Sequence, residues 1–311
     1  MSVELPERVR IREVGPRDGF QNEPEVVPGA DKVRLIDRLG ATGLQRIEVT
    51  SFVRPDVLPQ LADAEQVLGA ISLPPTVEAA VLVPNLRGLG RALALRDRFQ
   101  HVSGFVSASE THNRMNVGRP VEESVSELEH VMRRAREEGL RAGAVISVSF
   151  GCPYEGRVEP AAVFAIATRL IAAGAEEIGF GDTTGMANPL QVRSFFPAAR
   201  EALGDEVELT AHFHNTRGQG LANVLAALES GCESFESSFG EIGGCPVPAG
   251  ATGNIATEDL VSMLHEMGIA TGIDLEALLE TSRELANVLG RPLGSHTLAA
   301  GPVSWGPVPP N

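Results

Sequence analysis

Only seven histidines occur in the chain, and two of them, His212 and His214, flank a phenylalanine at the end of an apolar run, LTAHFHNTRGQGLAN. In an extended strand, residues two apart share a face, so both imidazoles point one way and Phe213 points the other. Such a pair serves either as hydrogen-bonded core histidines or as two nitrogen ligands of a metal ion. Other reactive side chains stand where apolar runs give way to polar ones. Arg17 and Asp18 lie in GPRDGFQNE, Glu48 in IEVTSF and Asp182 in GDTTG, and Cys245 and Asn254 lie in GEIGGCPVPAGATGN. If Asp18 and Asn254 come to the two imidazoles, the set suits a divalent ion of the Mg²⁺ or Mn²⁺ kind, with positions left for substrate. Zn²⁺ is the second choice because no thiolate joins the set. Each residue also has a plainer reading: a loop salt bridge for Arg17 and Asp18, an arginine partner for Glu48, a turn for Asp182 and a small packed residue for Cys245.

Whether these groups meet depends on the elements that carry them. Short runs rich in Val, Ile and Phe predict strands over 9–14, 46–50, 76–83, 98–106, 141–149, 176–181, 206–214 and 234–239. Helical periodicity predicts helices over 31–43, 60–71, 86–95, 122–138, 160–173, 189–203, 218–229 and 257–267, with a ninth over 275–289. Eight strand–helix units without an intervening linker predict a single (β/α)8 TIM barrel over residues 1–290 with an additional C-terminal helix, in preference to an open doubly wound sheet. Residues 291–311 then form a Pro/Gly-rich tail that lies on the surface or is loose. In a barrel the strand ends share one face, and strands seven, eight and one are neighbours. The two histidines, Asn254 and Asp18 therefore converge.

Composition narrows the function class. A net charge of −15 argues against a nucleic-acid binder, which needs a basic face. No segment approaches the apolar length of a membrane span, and the first residues, MSVELPERVRIREV, carry no apolar targeting region. Three irregularly spaced cysteines, Cys152, Cys232 and Cys245, predict no disulfide framework and point to the reducing cytoplasm. Cys245, on a glycine-rich loop over the barrel mouth, is the one most suited to reactivity.

Taken together, VGPRDGFQNE, TSFV, GCPYEG, GDTTG, HFHNTRGQGLANVLAAL and GGCPVPAGATGNIATEDLV resemble the 3-hydroxy-3-methylglutaryl-CoA lyase family, a branch of the metal-dependent TIM-barrel lyases and Claisen-type synthases. The similarity runs from about Val9 to Leu289, and the cysteine loop with its trailing Asn and ATED is its most specific part. The resemblance implies Asp18, His212, His214 and Asn254 as metal ligands and Arg17 as the group that stabilises enolate charge. It also implies Cys245 as the loop cysteine, and Glu48, Asp182 and Glu258 as active-site or supporting carboxylates. The implied reaction is a retro-Claisen cleavage of a tertiary 3-hydroxyacyl-CoA. His212 or Asp18 takes the hydroxyl proton, and Cys245 returns a proton to the enolate carbon.

Arg54, Arg114 and Arg157 are the expected donors to the CoA phosphates, and Asn85 the expected contact to the acyl or pantetheine arm. A homo-oligomer, dimer or higher, is also implied. The chain departs from the family where Asn215-Thr216-Arg217-Gly218 replaces Asp-Thr-Tyr-Gly after the second histidine. That leaves three readings open: a lyase for 3-hydroxy-3-methylglutaryl-CoA, the same chemistry on citramalyl-CoA or a bulkier 3-hydroxy-3-alkylglutaryl-CoA, and a non-catalytic metal- and CoA-binding scaffold.

Overall fold

The computed structural model describes residues 5–244 and 252–305. Eight parallel strands, β1 (Arg10–Glu13), β2 (Arg46–Ser51), β3 (Glu78–Leu82), β4 (His101–Ser107), β5 (Arg141–Ser147), β6 (Glu177–Asp182), β7 (Glu208–Phe213) and β8 (Ser234–Ser237), close on one another in chain order. Closure of β8 onto β1, with Arg12 opposite Glu236, rules out the open doubly wound sheet. Each strand falls within a few residues of its predicted span, and the predicted helices follow them around the outside.

The strand sequences explain why the barrel closes as it does. RIRE, RIEVTS, EIGFGD and ELTAHF alternate polar and apolar residues. The apolar set, including Ile47, Val49, Ile178, Phe180, Ala211 and Phe213, is buried under the helices. Phe180 meets Phe195 of helix Pro189–Leu203 edge to face at 4.9 Å. The hydrophobic effect therefore acts at the seam between strands and helices, where each large buried side chain contributes about 1.5–3 kcal/mol.

The inward set is polar. Arg12 holds Glu177 through both terminal nitrogens, at 2.8 and 2.7 Å, and reaches Glu236 at 3.2 Å. Arg46 pairs with Glu208 at 2.6 Å, and Arg141 with Glu78 at 2.6 Å. Barrel interiors more often hold packed branched apolar side chains. Here each buried charge is matched by an opposite one, without which its desolvation would be prohibitive.

Three departures from the sequence expectations bear on the site. The segment after β1 is not an open loop but a π-helical turn, Gly15–Gly19. The predicted helix 60–71 is a 3₁₀ turn, Pro59–Leu61, followed by helix Ala64–Ala70. An unpredicted helix, Glu110–Val117, follows β4, capped by Ser109, whose hydroxyl accepts the His112 N–H. It buries only His112 and Asn113, so it carries no apolar stripe to read.

Helix Leu275–Leu289 forms as expected. Beyond it, residues 294–297 are tied to the barrel. Gly294 N donates to the Gly240 carbonyl at 3.1 Å, and Asp259 accepts from Ser295 Oγ and from the backbone N–H groups of His296 and Thr297. A short helix, His296–Ala300, follows.

Candidate active site

The π-helical turn aims Arg17 and Asp18 over the barrel mouth. Asp18 N donates to the Val14 carbonyl at 2.7 Å, which winds the turn tightly onto the end of β1. Arg17 then donates through Nε to Glu48 Oε2 at 2.5 Å and through Nη1 to Asp18 Oδ1 at 2.6 Å. Glu48 points inward from β2, so the plain reading of Glu48 as an arginine partner and the functional one coincide.

His212 and His214 enter from β7 with Phe213 turned to the helices, as strand parity requires. One donor atom each from Asp18, His212 and His214 lies within 4.8 Å of the others. The two imidazole Nε2 atoms are 3.0 Å apart. Asn254 completes the group. Its Nδ2 donates to Asp18 Oδ2 at 2.8 Å and to the Ile242 carbonyl, while its buried Oδ1 has no partner.

A second interaction fixes the first imidazole. Glu236 of β8, opposite His212 in register, takes a hydrogen bond from Nδ1 at 2.9 Å. With the proton on Nδ1, the lone pair of His212 Nε2 faces the cluster. Two converging imidazole lone pairs, one carboxylate and one orphaned amide oxygen fit a hard or borderline divalent cation. Nδ1 of His212 is thus engaged by Glu236, and its Nε2 faces the cluster.

The electrostatics follow from burial and pairing. Burial opposes ionisation of Asp18, yet Arg17, His212 and the Asn254 amide hold its carboxyl below the ordinary value. Burial disfavours the imidazolium at both histidines. At His212 the hydrogen bond and charge of Glu236 outweigh it and raise the pKa. At His214 burial and the neighbouring His212 push it down to about 3.

The segment that carries Asn254 is held at both sides. Asn215 N donates to the Gly253 carbonyl, Ile255 N to the Phe213 carbonyl, and Ser238 N to the Ile255 carbonyl, so residues 253–255 lie between the ends of β7 and β8. Gly253, with φ +115°, passes so close to the Gly243 carbonyl that no Cβ fits. At Gly243, φ +95°, a Cβ would stand 2.7 Å from the Asn254 amide nitrogen. Both positions require glycine. Cys245 lies outside the described residues.

Buried carboxylates brace the stem before this segment. Glu13 accepts from the backbone N–H groups of Gly15 (2.7 Å) and Phe239 (3.0 Å) and from Thr257 Oγ1 (2.6 Å). Glu258 accepts from Gly240 N at 2.8 Å and from the Ser282 hydroxyl. Burial pushes Glu13 up to about 8 and Glu258 up to about 7. A carboxyl raised in the fold binds its proton more tightly than in the unfolded chain. Its contribution to stability is complete below the unfolded value and is lost as pH rises through the folded one. The Glu13→Gln variant is therefore expected to fall less in melting temperature between pH 5 and pH 8 than the wild type. Parallel melts across that range would refute the assignment.

Asp182 sits at the end of β6 on the parity of Ile178 and Phe180. Its Oδ1 accepts from the N–H groups of Met186 (2.7 Å) and Ala187 (2.9 Å), closing the GDTTG turn, and its buried Oδ2 has no partner. Burial lifts it to about 7. The structure thus brings Asp182 to the turn beside the cluster and not into its hydrogen-bonded set.

Of the expected CoA contacts, Asn85 caps helix Leu86–Leu93 by accepting from Gly88 N. Arg54 pairs with Asp56 and Arg114 with Glu110, each more than half exposed, and Arg157 is exposed. None of these four hydrogen-bonds to the cluster, and the Asn85 side-chain oxygen has a structural partner. Cys152 and Cys232 are buried and free, and burial raises the Cys232 thiol to about 12, which makes it inert. Glu236 and Glu13 were not among the sequence candidates. SFES and RIRE read only as polar strands, and cross-strand register is needed to see what these glutamates face.

The family model for HMGL-like proteins matches residues 8–285. The hydroxymethylglutaryl-CoA lyase structure from Bacillus subtilis superposes with a TM-score of 0.91 at 42% identity, covering 95% of this chain and 98% of that one. A 3-hydroxy-3-isohexenylglutaryl-CoA/hydroxymethylglutaryl-CoA lyase from Pseudomonas aeruginosa is 40% identical over 96% of this chain and 98% of its own length. An (R)-citramalyl-CoA lyase from Chloroflexus aurantiacus is 43% identical, with 96% of each chain covered.

Proposed function

The chain belongs to the HMGL-like family, and from that premise we propose that it cleaves 3-hydroxy-3-methylglutaryl-CoA to acetoacetate and acetyl-CoA. It is a carbon–carbon lyase. The observation that carries the reading is the cluster of Asp18, His212 and His214, with Asn254 hydrogen-bonded to Asp18, beside the Arg17 guanidinium. A metal-binding scaffold without catalysis would not need Arg17 held at the same mouth.

Asp18, His212, His214 and Asn254 would hold a divalent cation, Mg²⁺ or Mn²⁺ before Zn²⁺. Bound there, the cation supplies Lewis acidity that lowers the pKa of a substrate hydroxyl and fixes its orientation. The protein's own groups do the rest. Asp18 or His212 accepts the hydroxyl proton. Arg17 places fixed positive charge where the thioester enolate oxygen develops. Cys245, by its place in the family's loop signature, returns a proton to the enolate carbon. Glu48 keeps the Arg17 guanidinium in place. Asp182 and Glu258 hold the surrounding turns.

We assign the reaction to the cytoplasm, on the free Cys152 and Cys232. Among the described residues no helix is long and apolar enough to cross a membrane. CoA contacts are assigned to the mouth of the barrel, with Arg54, Arg114 and Arg157 reaching phosphates only if they leave their present surroundings.

Asn215 and Arg217 favour keeping a second substrate in view. Asn215 Nδ2 donates to Glu241 at 3.0 Å, and Arg217 Nη1 donates to the Thr184 and Gly185 carbonyls, so both departures from the family sequence tie neighbouring mouth loops together. A panel of 3-hydroxy-3-methylglutaryl-CoA, citramalyl-CoA and a longer 3-hydroxy-3-alkylglutaryl-CoA, assayed with Mn²⁺ and with chelator, decides among them. Chelator-sensitive cleavage of the first at the highest kcat/KM is expected. Preference for another member transfers the assignment to it, and no cleavage of any leaves the scaffold reading.

A further inference from the structure

The geometry points to Arg12 as a positioning residue that orients the metal-binding imidazole of His212 from inside the barrel, through Glu236; this rests on the reading of His212 as a metal ligand. Three adjacent strands of the barrel carry the chain of contacts. Arg12 of β1 stands opposite Glu236 of β8, and Glu236 stands opposite His212 of β7. Glu236 is a two-sided bridge. Its Oε1 takes the Arg12 Nη1 hydrogen bond at 3.2 Å, and its Oε2 takes the His212 Nδ1 hydrogen bond at 2.9 Å. Arg12 cannot swing, because both terminal nitrogens are held by Glu177, itself fixed by Thr210 Oγ1 at 2.9 Å. Nη2 also meets His101 Nδ1 at 3.0 Å. Arg12, Glu177 and Glu236 are each 3% exposed, so no solvent competes for these bonds.

The consequence is mechanical. A carboxylate bound on one oxygen only can rotate about its last torsion. One bound on both oxygens presents a fixed acceptor to Nδ1–H, and that fixes where Nε2 points. Outer partners of this kind typically change metal affinity about 10–100-fold when removed. Arg12 makes no hydrogen bond to Asp18, His212, His214 or Asn254, so it acts on His212 through Glu236.

Two variants are chosen to fold. Arg12→Lys keeps the charge but cannot hold Glu177 on both oxygens and Glu236 together. Arg12→Gln/Glu177→Gln removes one charge of each sign. In the metal-free full chain with ¹⁵N-labelled imidazoles, the wild type is expected to show a slowly exchanging His212 Nδ1–H proton, assigned by its loss in His212→Gln. In both variants, with cooperative melts retained, that proton should exchange at least about tenfold faster and Mn²⁺ should bind about 10–100-fold more weakly. Saturating Mn²⁺ should return kcat toward the wild-type value, which a general loss of structure would not allow. An unchanged Nδ1–H signal with unchanged Mn²⁺ affinity in either folded variant overturns the inference. If the wild type itself takes up no Mn²⁺, the metal reading fails separately, and the Nδ1–H signal alone still decides the role of Arg12.

Discussion

Replacing Arg17 by glutamine is expected to lower kcat by about 10²–10³-fold while the barrel still forms and still takes up metal. The reason lies in how its guanidinium is used. Nε is engaged by Glu48 and Nη1 by Asp18, which leaves the rest of the fork facing the mouth. Charge that develops on a thioester oxygen there meets a donor already oriented, with no reorganisation needed at the moment of bond breaking. Glutamine offers one neutral amide in place of a charged fork. It also strands Glu48, buried at 2% exposure, without its cation, so a lower melting temperature is expected alongside the kinetic loss. The companion Arg17→Gln/Glu48→Gln should recover the melt and not the rate. That separation, read from thermal melts and kcat, distinguishes catalysis from support. A single variant with near-normal turnover would remove Arg17 from the reaction.

The second large effect is expected at Asp18. Of the four groups around the cluster centre, His212, His214 and Asn254 are neutral as ligands, and Asp18 alone brings negative charge. Asp18→Asn should therefore weaken Mn²⁺ binding by more than about 100-fold, beyond what outer partners of a metal ligand carry. Turnover should fall to background at ordinary Mn²⁺ concentrations. The wild type should in parallel lose activity to a chelator and regain it with Mg²⁺ or Mn²⁺. Asp18→Asn protein that binds Mn²⁺ like the wild type, by calorimetry or electron paramagnetic resonance, would remove the carboxylate from the ligand set. Wild-type activity that survives exhaustive chelation would end the metal-dependent mechanism altogether.

The barrel was legible because its strands and helices carry different periods, and because most of the reactive residues fall in or shortly after the C-terminal halves of strands. His212 and His214 were legible from a two-residue spacing on one strand, which needs no tertiary knowledge. Asp18 and Asn254 required strands one, seven and eight to be neighbours, a condition that barrel closure supplies. Glu236 was not legible, since its meaning depends on standing level with His212 across β7 and β8. The π-helical turn at Gly15–Gly19 was hidden for a different reason. Five residues with a proline at the second position carry no periodicity, and only backbone hydrogen bonds, from Asp18 N to the Val14 carbonyl and from Phe20 N to the Gly15 carbonyl, define it. The helix Glu110–Val117 escaped because it rests on caps more than on a buried stripe.

The placement of residues 253–255 between the ends of β7 and β8 has a consequence for exchanging loops among relatives. The amide of Asn254 is delivered by main-chain pairing on both sides, and strand pairing turns side chains over with every one-residue step. Deleting or adding a residue at Gly253 or Ile255 would turn that amide away from Asp18 and disarm the site. Splice points for grafting a foreign loop therefore belong at Gly244 and Thr252, outside the clamped tripeptide.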